Sequence, residues 1–169
     1  MKTNLSKLVL ALFIAIVLVA GSYHGTFAHR SVQASPVLSS ATLVVTKTAD
    51  TEDGICDIDC SLREAVNAAA SGDTITFDPS LAGQTILMSE TIYTPISISD
   101  KDLVIDGSSL GTNIKISGEN TTIYPLYISS PANVILKNID FINGSASNGG
   151  AIYNSGDLTI SNSTFFNNL

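Results

Sequence analysis

Short runs of apolar and β-branched residues alternate with polar turns along most of the chain beyond residue 40. The first run, residues 41–48, predicts a strand because it is rich in β-branched residues, and a later one, residues 73–77, because its apolar and polar positions alternate. From residue 78 onward the same texture continues, with turns marked by Gly, Asn and Asp. The pattern therefore predicts a mainly β protein.

One segment, residues 62–70, departs from this pattern and predicts a short amphipathic helix. Ser61 and Glu64 have the spacing of a capping box, in which each side chain accepts a hydrogen bond from the other residue's backbone N–H. Gly72 is expected to end the helix as its C-cap. The apolar positions share one helical face: Leu62, Ala65, Val66 and Ala69.

The chain also contains a repeat with a period of about 24 residues. Residues 133–144 align with residues 157–168. A period of this length with short strands and no helix fits neither a βαβ crossover nor a series of hairpins. It predicts a solenoid of parallel strands, in which successive coils lie about 4.8 Å apart. The matched pairs are Val134 with Leu158, Leu136 with Ile160, Asn138 with Asn162, Phe141 with Phe165 and Asn143 with Asn167.

Stacked coils place equivalent side chains on one another. Phe141 and Phe165 are expected to form an interior aromatic stack, and Asn138 and Asn162 an amide ladder in which one side chain donates to the next. The predicted helix is expected to cover the first end of the solenoid, because uncovered strand edges invite aggregation. No second cap precedes Leu169, so we expect the chain to be truncated there.

Residues 1–34 have the layout of a secretory signal peptide. A basic start precedes an unbroken apolar run over residues 8–20, and Ala28 and Ala34 each end a small-residue cleavage motif. The run is shorter than the roughly 20 residues that a membrane span needs. We therefore expect a secreted or cell-surface protein, with residues 35–40 as a linker and no membrane span after cleavage.

The charge balance excludes several classes of function. Eight Lys and Arg residues stand against fifteen Asp and Glu residues, a formal net charge of -7. Cleavage after Ala34 removes both histidines and three of the basic residues. Such an acidic chain lacks the basic face of a nucleic-acid binder. Without histidine it cannot use Ser-His or Cys-His catalysis or build a His-ligated metal site.

The two cysteines, Cys56 and Cys60, lie in an acidic loop that contains Gly54. In an exported chain a disulfide is the default, with free thiols and a thiolate metal site as the alternatives. The loop also suggests calcium, because hard cations prefer carboxylate ligands. We favour a solvated acidic loop without a cofactor, because the spacing does not match an EF-hand. The candidate ligands are Asp50, Glu52, Asp53, Asp57 and Asp59.

Residues 60–65 spell Cys-Ser-Leu-Arg-Glu-Ala, the motif that names the CSLREA-domain family, which the chain resembles. Residues 149–152 and 165–168 resemble the GGAI and FxxN motifs of right-handed parallel β-helix repeats, such as those of polymorphic outer-membrane proteins. The resemblance implies a bacterial protein at or beyond the cell surface. It implies an N-terminal cap over residues 41–78 and a right-handed, single-stranded parallel β-helix of the pectin-lyase-like type over residues 79–169. It implies no particular reaction.

Two functions are compatible with these patterns. The first is a structural, adhesion or ligand-binding module with no catalytic site, whose ligand is a polysaccharide or another surface component. The second is the N-terminal part of a pectate-lyase-like enzyme whose active site lies in further coils. The acidic cluster Asp100, Asp102 and Asp106 is interpreted as turn residues rather than as catalytic acids. Four tyrosines are candidates for stacking on sugars, although packing is the favoured interpretation: Tyr93, Tyr124, Tyr127 and Tyr153.

Overall fold

The computed structural model describes residues 39–89, 91–118 and 124–169. The chain divides into two units, residues 1–37 and 38–169, and every described residue belongs to the second. The predicted signal peptide and residues 35–38 of the predicted linker lie outside the described residues. Within the described ranges, no helix is both long and apolar enough to cross a membrane.

The described part of the chain is built from short strands and one α-helix, so the mainly β class is confirmed. Helix α1 spans Leu62–Ala68, and 3₁₀ turns cover Pro79–Leu81 and Ser108–Leu110. The strands are β1 Thr42–Val45, β2 Thr74–Phe77, β3 Thr85–Leu87, β4 Ile96–Ser99, β5 Leu103–Asp106, β6 Ile114–Ser117, β7 Leu126–Ser129, β8 Asn133–Lys137, β9 Ile139–Ile142, β10 Ile152–Asn154, β11 Asp157–Ser161 and β12 Phe165–Phe166.

These strands form three parallel sheets. Their orders are β1-β2-β5-β8-β11, β10-β7-β4 and β12-β9-β6-β3. From β2 onward, each strand pairs with the strand three places later in the chain, so the backbone visits the three sheets in strict rotation. From β2 onward, the connection between two paired strands therefore passes through the other two sheets, whereas β1 and β2 are joined through α1.

The 24-residue repeat corresponds to direct strand pairing. In the β8–β11 pair, Leu158 lies opposite Val134 and Ile160 opposite Leu136. The earlier spacings are longer: Leu103 pairs with Val134, 31 residues later, and Ile96 with Leu126, 30 residues later. Loops of unequal length between the strands account for the difference. The repeat is consequently clear only in the last part of the sequence.

The core is one cluster of buried apolar side chains to which all three sheets and α1 contribute. Inward positions alternate with outward ones along the strands, as the period of two requires. Ile98, Leu136 and Phe141 represent the three sheets, and Val66 represents the helix; all four are fully buried. The predicted helix thus packs its apolar face on the same core as the strands.

Helix α1 ends earlier than predicted, and Gly72 is not its C-cap. The cap is Ala69, whose backbone is extended and whose N–H donates to the Ala65 carbonyl. The Asp73 carboxylate accepts a hydrogen bond from the Ala70 N–H at 2.8 Å, and this competing partner draws the chain out of the helix. Gly72 has a φ of 92° in the turn that follows.

Asparagines hold the left-handed backbone positions in the repeat. Asn138 and Asn162 have φ values of 56° and 53°, and Asn143 and Asn167 have values of 53° and 55°. Asparagine tolerates this conformation better than other residues with a Cβ atom. The turns at the ends of β8, β9, β11 and β12 therefore explain why asparagine recurs at these positions.

Candidate functional site

The capping box at the start of α1 is part of a larger buried network. The Ser61 N–H donates to Glu64 Oε2 at 2.7 Å, and the Glu64 N–H donates to Ser61 Oγ at 3.1 Å. The Ser61 hydroxyl also donates to the Thr51 carbonyl, and the Thr51 hydroxyl donates to Glu64 Oε1. Glu64 therefore attaches the acidic loop to the helix as well as capping it.

The Glu64 carboxylate is held ionised by these donors. Burial acts to raise the pKa of Glu64, but the hydrogen bonds from Ser61, Thr51 and Asp53 and the charge of Lys47 outweigh it and lower the pKa below its usual value. The Lys47 ammonium lies 3.5 Å from Glu64 and 3.1 Å from Asp59. Although burial acts to lower the pKa of Lys47, its hydrogen bonds and the two carboxylate charges raise it.

We expect Glu64→Gln to lower the free energy of unfolding by about 2 kcal/mol near pH 7, because the buried donors lose a charged acceptor. A lowered folded-state pKa gives stabilisation that is complete above the unfolded pKa of about 4.3 and is lost as the pH falls through the folded value. The difference between variant and wild type should therefore shrink at about pH 3. Urea unfolding at both pH values measures it.

Glu52→Gln is the matched control for this prediction, because Glu52 is exposed and its carboxylate accepts a hydrogen bond from the exposed side chain of Asn67. It should change the unfolding midpoint little at either pH. An equal loss for Glu64→Gln at both pH values would contradict the role assigned to the ionised carboxylate.

The acidic loop is tied down by a disulfide between Cys56 and Cys60. Next to the disulfide, the Cys60 N–H donates to Thr46 Oγ1 at 2.8 Å, and the Thr46 N–H donates to the Cys60 carbonyl at 2.9 Å. The loop is thereby fixed against the chain that follows β1.

The five candidate calcium ligands do not converge on one point. Among the described residues, no group of three or more Asp, Glu, Cys or His side chains could hold a metal ion. Each carboxylate instead has its own partner, and the loop offers no calcium site in this arrangement. Asp50 pairs with Arg63, Glu52 with Asn67, Asp53 with the Ile55 N–H, Asp57 with the Asp59 N–H, and Asp59 with Lys47.

A buried ion pair between Arg63 and Asp50 is the main feature that sequence reasoning missed. Arg63 Nε and one terminal nitrogen donate to the two Asp50 oxygens, each at 2.8 Å. The guanidinium also donates to the carbonyls of Thr94 and Pro95. Asp50 accepts a further hydrogen bond from the Ser89 N–H. The pair therefore joins the helix, the acidic loop and the segment before β4; its only sequence signal is that Arg63 is the sole arginine after residue 30.

Two carboxylates of the acidic cluster, those of Asp102 and Asp106, have partners within the fold. Asp106 lies 3.2 Å from the Lys137 ammonium and accepts a hydrogen bond from the Ser108 N–H. Asp102 accepts one from the Asn133 N–H at 3.0 Å. Both carboxylates therefore bind neighbouring backbone or side chains.

The two pairs predicted to form ladders are brought together in different ways. Phe141 and Phe165 stack with ring centroids 5.3 Å apart and planes 11° apart, although Phe165 is 47% exposed. The Asn138 side chain donates to Asn113 Oδ1, and the Asn113 side chain donates to the Asn162 carbonyl. The predicted donation from one asparagine side chain to the other is thus replaced by a path through Asn113.

Three of the four tyrosines meet on the outer face of the β10-β7-β4 sheet. Tyr127 lies opposite Tyr153 in the β7–β10 pair, with ring centroids 5.5 Å apart. Tyr124, just before β7, stacks on both, at 6.0 Å from Tyr127 and 5.3 Å from Tyr153. We call Tyr124, Tyr127 and Tyr153 the tyrosine cluster. Tyr93 is 68% exposed and lies in the segment before β4.

A pocket of about 290 Å³ opens beside this sheet and shares Ser97 of β4 with it. We call it the side pocket. Its lining combines a carboxylate, an amide, hydroxyls and apolar groups, which is the mixture found in small-molecule sites. The lining residues are Glu52, Arg63, Asn67, Ile92, Thr94, Pro95 and Ser97.

No protein-family model matches the chain, and searches of the curated proteins and of the solved structures find no significant match.

Proposed function

We propose that this chain is a secreted or cell-surface protein with a right-handed, single-stranded parallel β-helix and that it serves as a structural, adhesion or ligand-binding module. The proposal for the fold is supported by the rotation of successive strands through three parallel sheets. It is also supported by the asparagine turns that recur at equivalent positions of the repeat. Helix α1 would then be the N-terminal cap, as its packing beside β1 suggests.

Export and family membership are part of the same proposal. The basic and apolar start of the sequence is typical of a signal peptide. The motif at residues 60–65 supports membership of the CSLREA-domain family. In the structure that motif supplies a disulfide cysteine, both capping-box residues and the buried Arg63. These roles give a physical reason for each of the polar letters in the motif.

A binding role is preferred to catalysis on one observation. The five candidate calcium ligands and two of the three acids of the strand cluster, Asp102 and Asp106, bind backbone N–H groups, amides or cations of the fold itself. Among the described residues, the largest group of stacked aromatic side chains, the tyrosine cluster, instead lies on an outer sheet face. The proposed module therefore offers an aromatic surface to a ligand, whereas these carboxylates are already engaged by groups of the protein.

Expression of the full sequence in a bacterial host tests this proposal. We expect the product in the extracytoplasmic fractions, with an intact mass that starts after Ala28 or Ala34. The purified product should bind whole cells or insoluble polysaccharide in a pull-down without shortening soluble polygalacturonate. A full-length cytoplasmic product contradicts export, and cleavage of the polysaccharide favours the enzyme alternative.

A further inference from the structure

We propose that the tyrosine cluster and the side pocket form one binding site for a neutral oligosaccharide. This inference rests on the proposed binding function and names the ligand class and the residues. It starts from the strand register, because Ser97 of β4, Tyr127 of β7 and Tyr153 of β10 are consecutive positions on the same outward row. One row thus runs from the pocket wall to the aromatic rings.

The strand register places a small residue beside the tyrosine cluster. The rings of Tyr127 and Tyr153 are within 21° of parallel, and their 5.5 Å centroid separation is close to the spacing of adjacent strands. The rings therefore stack along the direction in which strands follow one another. On its other side Tyr127 has Ser97 as its strand neighbour, whose small side chain cannot cover an aromatic face. Because Tyr124 packs on both rings, the side of Tyr127 left for a ligand is the one toward Ser97, which also lines the side pocket.

The chemistry of this surface suits a sugar. The C–H groups of a pyranose ring pack on an aromatic face, which is apolar and carries a negative quadrupole. Its hydroxyls need both donors and acceptors within reach. Glu52 and Asn67 at the pocket wall use one carboxylate oxygen and one amide N–H on each other, which leaves the second carboxylate oxygen and the amide oxygen as acceptors and the second amide N–H as a donor for a ligand.

The charges at the site argue for a neutral ligand. Arg63 lines the pocket, but its guanidinium is committed to Asp50 and to two backbone carbonyls, so it is not available to an anion. Glu52 would repel an acidic sugar, as would the net charge of -7. A cation would find one carboxylate and no second acid in the lining. A polyhydroxylated neutral molecule fits all three conditions.

A titration of the purified protein with neutral hexasaccharides tests the site. The panel consists of the glucose series in α-1,4 and β-1,4 linkage, the β-1,4-xylose series, the β-1,4-mannose series and the β-1,4-N-acetylglucosamine series, with oligogalacturonate as the acidic comparison. The chain has no tryptophan, so the change in tyrosine emission comes from the tyrosines alone, and calorimetry supplies the affinity. We expect at least one neutral series to bind and oligogalacturonate not to bind.

Variants separate stacking from polar contacts. Tyr127→Ala should weaken binding about tenfold, whereas Tyr127→Phe, which keeps the ring, should bind within about threefold of wild type. Asn67→Ala, at an exposed position, should also weaken it. Phe166→Ala is the matched control, because Phe166 is an exposed aromatic on a different sheet, and it should leave affinity unchanged. Thermal melts confirm that each variant is folded.

Three results would overturn the site. They are no binding of any neutral hexasaccharide, stronger binding of oligogalacturonate than of the neutral sugars, or an affinity that neither Tyr127→Ala nor Asn67→Ala changes. If the protein still binds cell surfaces in such a case, the proposed module stands and only the sugar site fails. If it binds neither surfaces nor sugars, the binding function fails as well.

Discussion

Arg63→Met is expected to lower the free energy of unfolding by about 3–5 kcal/mol, because it leaves the buried Asp50 carboxylate without its counter-ion. Methionine keeps much of the length of the side chain, so the loss is mainly electrostatic. In the variant, Asp50 retains the Ser89 N–H as a donor, and the carbonyls of Thr94 and Pro95 lose their guanidinium. Urea unfolding at pH 7 measures the change.

The double variant Asp50→Asn with Arg63→Met distinguishes an unpaired charge from lost packing. Removing both charges should recover part of the stability, since an uncharged amide is far less costly to bury than a lone carboxylate. A double variant that is as unstable as the sum of the single variants would show that the two side chains act independently. That result would contradict the ion pair as the main connection between α1 and the segment before β4.

Phe141→Ala is expected to cost about 3–5 kcal/mol, the usual range for deleting a fully buried phenylalanine. Phe141 belongs to β9, is fully buried in the core and stacks on Phe165. Its removal leaves a cavity in the core to which all three sheets contribute. Thermal or urea unfolding, monitored by circular dichroism, gives the value.

Phe165→Ala is the matched control, because it deletes the other ring of the same stack. Phe165 is 47% exposed, so its loss should cost only about 1 kcal/mol, mostly from the stacking contact. Equal losses for the two variants would mean that β12 is as fully buried in solution as β9. That outcome would contradict the burial described for this edge of the sheet.

The features that sequence reasoning identified are those encoded within a few residues or by exact repetition. Ser61 and Glu64 are three residues apart, and their geometry follows from the first turn of any helix. The Phe141–Phe165 pairing follows from an alignment without insertions. Gly72 shows the limit even of local rules, because the Asp73 side chain supplies a competing partner and the helix ends at Ala68.

The tyrosine cluster was not predictable because its members do not follow the 24-residue period. Tyr127 and Tyr153 are paired but lie 26 residues apart, since the connection from Tyr127 to the start of β8 is two residues longer than that from Tyr153 to the start of β11. An alignment with constant spacing therefore places them out of register. Only the paired strands reveal that the rings share one face with Ser97.

The sequence by itself determined the mainly β class, the capped helix and the stacking of the last repeat. The alternation of apolar and polar residues and the capping box are local patterns, and the stacking follows from the 24-residue period. The tertiary structure decided which partner each charged side chain takes. Asp50 and Arg63 are 13 residues apart, and Arg63 reaches Thr94 31 residues away, so no local pattern relates them. Of the acidic residues that suggested calcium, Asp53 and Asp57 accept from backbone N–H groups two residues away. Asp50 and Asp59 instead pair with Arg63 and Lys47, which only the folded loop brings to them, because no local pattern relates such distant side chains.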